Sequence, residues 1–146
     1  MPRIIVLLLA CVLPLYAPAY ARDDVYRRNF HSVVKAALQD GQLDGSVKFY
    51  LKGETVRGKI QKTFPEAVSN KKTNASNKTD EDACDWALRS VLISFQENAK
   101  KQGANAVIDL VSFYKKQAWQ SASQFECHAG AWMAGVAMKG RAAVVK

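Results

Sequence analysis

Two short stretches carry residue types able to do chemistry. Cys127-His128 sets a thiol beside an imidazole, the pairing used for a thiolate nucleophile or for metal ligation. Gly53-Glu54-Thr55-Val56-Arg57-Gly58-Lys59 has the GxxxxGK spacing of a phosphate-cradling loop. The neighbours of each argue against it. In an extended segment adjacent side chains point to opposite faces, so His128 cannot take the proton of Cys127. The only other histidine is His31, and a metal site built on Cys84, Cys127 and His128 would lack any CxxC or HxxxH spacing. In GETVRGK the position that must offer a hydroxyl to Mg²⁺ is Ile60, and Pro65 falls where the following helix should run. No catalytic residue, metal or cofactor is therefore expected, and Gly53, Gly58 and Lys59 are not read as nucleotide ligands.

The start of the chain bears on the cysteines. Met1 to Ala21 has one basic residue, Arg3, then an apolar run, then Ala19-Tyr20-Ala21 with small residues at the positions a signal peptidase reads. This predicts export to a bacterial periplasm. A spanning helix would need roughly 20 apolar residues, and Pro14 interrupts the run. A lipid anchor at Cys11 would leave only ten residues before the modified thiol, with apolar sequence continuing beyond it. Cleavage after Ala21 removes Cys11 and leaves Cys84 and Cys127 as an even pair in an oxidising compartment. A disulfide between them is expected. Closing a loop of about 44 residues stabilises a fold by roughly 4 kcal/mol on the chain-entropy model.

The elements that must position these residues can be read from period and caps. Thr79 followed by Asp80, Glu81 and Asp82 marks a helix start and sets negative charge on its positive end. Cys84, Ala87, Leu88, Val91, Leu92, Phe95 and Ala99 then recur at spacings of three and four, with Arg89, Gln96, Glu97 and Lys100 largely off that stripe and Gly103 as the stop. A shorter stripe, Phe30, Val33, Val34, Ala37 and Leu38, predicts a peripheral helix ended by Gly41. Ser46 to Leu51 and Thr55 to Phe64 read as a hairpin ending at Pro65. Ser69 to Asp82 reads as an exposed polar connection carrying two Asn-x-Ser/Thr triplets. Ala106 to Tyr114 and Ala129 to Met138 read as strands, the second apolar on both alternating sets, with Gly130, Gly135 and Gly140 marking bulges or close backbone approach.

The expected fold is therefore α+β: one long helix on a mainly antiparallel sheet, plus a short N-terminal helix. Its divisions are a signal peptide (1–21), an N-terminal extension with the short helix (22–45), and a disulfide-tied α+β domain (46–146). The formal charge of +8 falls to +7 when Arg3 leaves with residues 1–21, and the 125 residues that remain suffice for one domain with a real core. That balance would attract anionic polymers, lipid headgroups or nucleic acid, but the lysines are scattered and not gathered on one predicted face, which favours a solvated surface. Lys71, Lys72, Lys115, Lys116 and Trp119 are the candidates for a binding surface, because an aromatic beside cations is a common contact site.

The segments NKKTNASNKTDEDACDWAL, GANAVIDLVSFYKK and FECHAGAWMAGVAMKG resemble a family of small exported proteobacterial proteins that carries the label "excinuclease ATPase subunit". More distantly, a helix followed by Gly-Ala-Asn-Ala-Val and a Cys-bearing, Ala/Gly-rich terminal strand is similar to YbjQ-like and RcsF-like α+β domains, the latter envelope sensors that act through protein contacts. The first resemblance implies nucleotide or nucleic-acid handling. The second implies a non-enzymatic envelope module, which the export signal and paired cysteines favour, with an envelope protein or an anionic envelope polymer as partner. No transmembrane helix is expected in the mature chain.

Overall fold

The computed structural model describes residues 14–17 and 21–146. Most of the predicted signal segment, including Cys11, lies outside the described residues. The elements run β1 (Asp24–Asn29), α1 (Phe30–Gln39), β2 (Lys48–Leu51), β3 (Ile60–Asn74), α2 (Asp80–Lys101), β4 (Ala106–Tyr114), β5 (Gln117–Trp119), β6 (Gln124–Ala129) and β7 (Met133–Val145). The described residues form an α+β fold with two helices on a curled mixed sheet.

Strand β7 is the spine of the sheet. Along one edge it pairs with β3 over nearly its whole length, from Asn74↔Met133 to Ile60↔Val145. The other edge is shared. β6 takes only His128↔Gly135 and Ala129↔Ala134, after which β4 takes over from Ser112↔Met138 to Ala106↔Ala143. β1 extends the β6 branch, while β2 and β5 flank β4. The sheet thus forks, and Ser112 Oγ accepts a hydrogen bond from the Glu126 amide at 2.9 Å across the fork. All pairings are antiparallel except β2 with β4.

Helix α2 lies over the inner face. Thr79 caps it by accepting from the Asp82 amide, three acidic residues fill its first turn, and Lys100 and Lys101 fill its last. Its buried stripe contains all seven apolar residues of the predicted period. Gln96 joins them, because its Oε1 accepts from the Asp44 amide at 3.0 Å and so has a partner when buried. Helix α1 is capped by Asn29, whose Oδ1 accepts from the Ser32 amide, and it buries Phe30, Val33 and Ala37 in the same core as α2.

Three expectations fail here. Ser46–Leu51 and Thr55–Phe64 do not form a hairpin, since β2 pairs in parallel with β4 and β3 pairs with β7. Much of the polar stretch expected to be a loop is the second half of β3, ending at Asn74. β3 has only one hydrogen-bonded neighbour, so Lys71, Lys72 and Asn70 ride on an edge strand, where polar and cationic residues discourage pairing with other chains. Pro65, unable to donate to the ladder, falls in the register break between Thr63 and Glu66. Similarly, Ala129 to Met138 is not one strand: a turn at residues 130–132 divides β6 from β7. Gly140 does mark a close approach, since an added Cβ would lie 2.7 Å from Leu110 Cδ2 and 3.0 Å from the Ile108 carbonyl at the β4 bulge.

The loop after α1 is held by Asp44. Its carboxylate accepts from Lys100 Nζ, and from Ser46 Oγ and the Ser46 amide, which together hold its pKa well below the usual carboxylate range. A folded pKa below the unfolded one stabilises the native state above the unfolded value of about 4, and that contribution is lost as pH falls through the folded value. The stability difference between the protein and Asp44→Asn should therefore be constant above about pH 5 and shrink progressively below about pH 4. Urea midpoints measured across pH 2–7 check this, and a gap that widened on acidification would contradict it.

Candidate functional site

The five residues singled out from sequence do not form one surface. Lys71 faces α2, beside Ser90, Ile93 and Glu97. Lys72 points the other way, into a recess of about 230 Å³ that it shares with Arg22, Asp23, Tyr114, Lys115 and His128. Lys115 and Lys116 form the two-residue turn between β4 and β5, both with positive φ, as that tight hairpin type requires. Trp119 lies under the Arg27 guanidinium at 4.5 Å and is half-buried.

His128 sits in that recess, and Cys127 does not. Cys127 is fully buried and bonded to Cys84, with a Cα separation of 5.7 Å, which ties the start of α2 to β6. On the opposite face the His128 ring stacks on Tyr114 at 3.7 Å, with Nδ1 2.9 Å from Asp23 Oδ1 and Nε2 3.0 Å from Glu126 Oε1. Both ring nitrogens are occupied by carboxylates of the chain. The arrangement is a latch that holds β1 and β6 to the β4 branch at the fork. Among the described residues no group of three or more His, Cys, Asp or Glu side chains converges as a metal site.

The larger opening lies at the other end of the molecule. A groove of about 730 Å³ runs between α1 and β2, within the roughly 300–1,000 Å³ range of small-molecule sites. One wall is the face of α1 that carries His31, Val34 and Leu38, spaced three and four residues apart. Leu43, Val47 and Phe49 line it from the core side. Lys48 and Tyr50 of β2, with Glu54, Thr55 and Arg57 of the following loop, form the remaining wall.

Glu54 fixes the shape of this groove. Its Oε2 accepts from the Leu51 amide at 2.6 Å, turning the chain after β2, and its Oε1 lies 2.6 Å from His31 Nε2 on α1. The pair is a strut between loop and helix. The GETVRGK segment is thus the rim of the groove. Gly53 and Gly58 both have positive φ, and a Cβ at Gly58 would come within 2.7 Å of the Lys146 carbonyl. Lys59 pairs through its backbone with Lys146. Strand β3 follows from Ile60, so the segment does not lead into a helix as a phosphate-cradling loop does.

No family model, curated protein or solved structure matches the chain. Among the described residues no helix is long and apolar enough to cross a membrane.

Sequence reasoning missed the groove because its residues come from three segments of unlike character. One signal was available. Leu38 belongs to the apolar stripe of α1 yet is 41% exposed, while Val34 of the same stripe is only partly buried against the core.

Proposed function

We propose that this chain is a non-enzymatic binding protein of an oxidising envelope compartment, a bacterial periplasm, and that the α1–β2 groove is the surface it uses. The groove carries the reading: it combines buried apolar lining with a few convergent polar groups, the general make-up of a ligand site. Its His31–Glu54 pair is spent on holding the loop, which suits a binding wall better than a proton relay. The Cys84–Cys127 bond and the signal-like leader support export, and the layering of α2 on the sheet supports kinship with RcsF-like domains.

Titrating the isotopically labelled, oxidised protein with a chemically diverse fragment set should move the amide resonances of Val34, Leu43, Val47 and Tyr50 together. Shifts that scatter, or that gather only around His128, would remove the groove from consideration. Export is checked on protein recovered from cells: an intact mass beginning at Arg22, with both thiols closed to alkylation until reduction, is the expected result. An unprocessed chain with free thiols would overturn it.

A second reading, nucleotide or nucleic-acid handling as the family label implies, draws on Lys48 and Arg57 facing the same groove. It requires binding of ATP or DNA at low salt, where phosphate contacts are strongest.

A further inference from the structure

The charges around the groove are unequal in a way that specifies a ligand. Glu54, the one acidic residue lining it, is already matched by His31 and by the Leu51 amide. Lys48 and Arg57, the two fixed cations lining it, form no ion pair among the described residues. They border an interior where Leu43, Val47 and Phe49 are only 3%, 3% and 6% exposed, while Leu38 stands half open at the side. Lys48 and Arg57 therefore offer uncompensated positive charge, and Val34, Leu38, Leu43, Val47 and Phe49 offer apolar contact, with the hydroxyls of Tyr50 and Thr55 also on the lining. A small inorganic anion would leave the apolar part unused, and a plain hydrocarbon would leave the cations unused.

We propose that the groove binds a single-chain amphiphile carrying one anionic head, a carboxylate or a phosphate monoester, with the head on Lys48 and Arg57 and the tail against Leu38, Leu43 and Val34. The proposal rests on the reading of the groove as the binding surface and names its ligand class. Arg57 offers a planar fork of donors that matches either head group, and Lys48 adds a second, more flexible charge. The ligand is taken as a free molecule and not as part of a bilayer, because Leu43, Val47 and Phe49 are recessed in a concavity and, of the lining apolar side chains, only Leu38 is displayed at its side.

The test uses the oxidised protein and four ten-carbon probes below their micellar concentrations: decanoate, decyl phosphate, decyl maltoside and decyltrimethylammonium. Calorimetry should show binding of the two anions, at least tenfold tighter than the neutral and cationic probes. Arg57→Ala should weaken decanoate about tenfold, Lys48→Ala/Arg57→Ala by more than Arg57→Ala alone, and Arg57→Lys by less than Arg57→Ala, because each cation gives the head a charge-assisted hydrogen bond and the Arg fork gives two. Both side chains are exposed, and an unchanged melting temperature in the variants excludes a folding defect. Equal binding of decyl maltoside, or an anion affinity that the double substitution leaves unaltered, would overturn the anionic head. If fragments perturb the groove but no ten-carbon probe does, the amphiphile is wrong and the groove survives. If fragments leave the groove silent as well, both readings fall. Co-sedimentation with anionic phosphatidylglycerol vesicles, abolished by the same double substitution and without binding of free decanoate, would replace the free ligand with a membrane surface.

Discussion

Removing the Cys84–Cys127 bond, by Cys84→Ala/Cys127→Ala or by reduction, is expected to destabilise the native state by about 4 kcal/mol. The figure follows from a sequence separation of 43 residues, and for a domain of this size it corresponds to a fall in melting temperature of roughly 12–20 °C. Since domains are stable by only about 5–15 kcal/mol, this would be a large share of the total. The loss should also be uneven across the molecule. β6 holds to the spine strand by just two residue pairs, His128↔Gly135 and Ala129↔Ala134, whereas β3 pairs with β7 along most of its length. Beside the apolar packing of Phe125 and Ala129, the disulfide and the polar contacts from Arg22 and Tyr26 to Asp80 and from Arg28 to Asp85 keep the β1–β6 branch against the helix. Hydrogen exchange in the reduced protein should therefore lose protection first at Tyr26, Arg28 and Cys127, with Val136 and Met138 retained until global unfolding. A melting temperature that moved by less than about 3 °C, or uniform loss of protection, would show that the branch does not depend on the bond.

The second large effect is expected at Phe30. It is the first residue of α1, it is fully buried, and its amide donates to the Ser123 carbonyl at 3.0 Å, so one residue joins helix, β6 approach and core. Phe30→Ala should cost about 3–5 kcal/mol, the range for truncating a buried aromatic, while Phe30→Leu should cost under about half of that. Urea unfolding at constant m-value measures it. Because α1 is a wall of the groove, Phe30→Ala should also weaken whatever binds there. A cost below about 1 kcal/mol would mean that the segment before residue 46 is an appendage and not part of the core.

Much of α2 was legible in advance because everything that specifies it is local. Its cap, its acidic first turn, its basic last turn and its apolar period lie within one continuous stretch, and the packed face follows from 3.6-residue geometry alone. The same holds for α1 and for the cysteine pairing, which needed only a count and a compartment. β3 was not legible. SNKKTN has the composition of a loop, and it becomes strand because β7 supplies a long partner edge about sixty residues away. Pro65 looked like a terminator and turned out to sit in a register break, a place that exists only once two strands are paired.

The groove lies at the far end of that scale. His31, Lys48, Glu54 and Arg57 are unremarkable in sequence, and the GxxxxGK spacing there runs into strand β3 and not into a helix. What brings these residues together is that β2 pairs in parallel with β4 instead of folding back on the next strand, which leaves the loop after Leu51 to lean on α1 through Glu54 and His31. By itself, then, the sequence determined the two helices, the Cys84–Cys127 pair and the class of fold, since periodicity, capping and cysteine count act over short range or need no geometry. The tertiary structure alone decided the strand partners, the fork in the sheet, the latch at His128 and the groove, because each depends on which edges meet, and hydrogen-bond pairing between distant segments leaves no mark on the residues that lie between them.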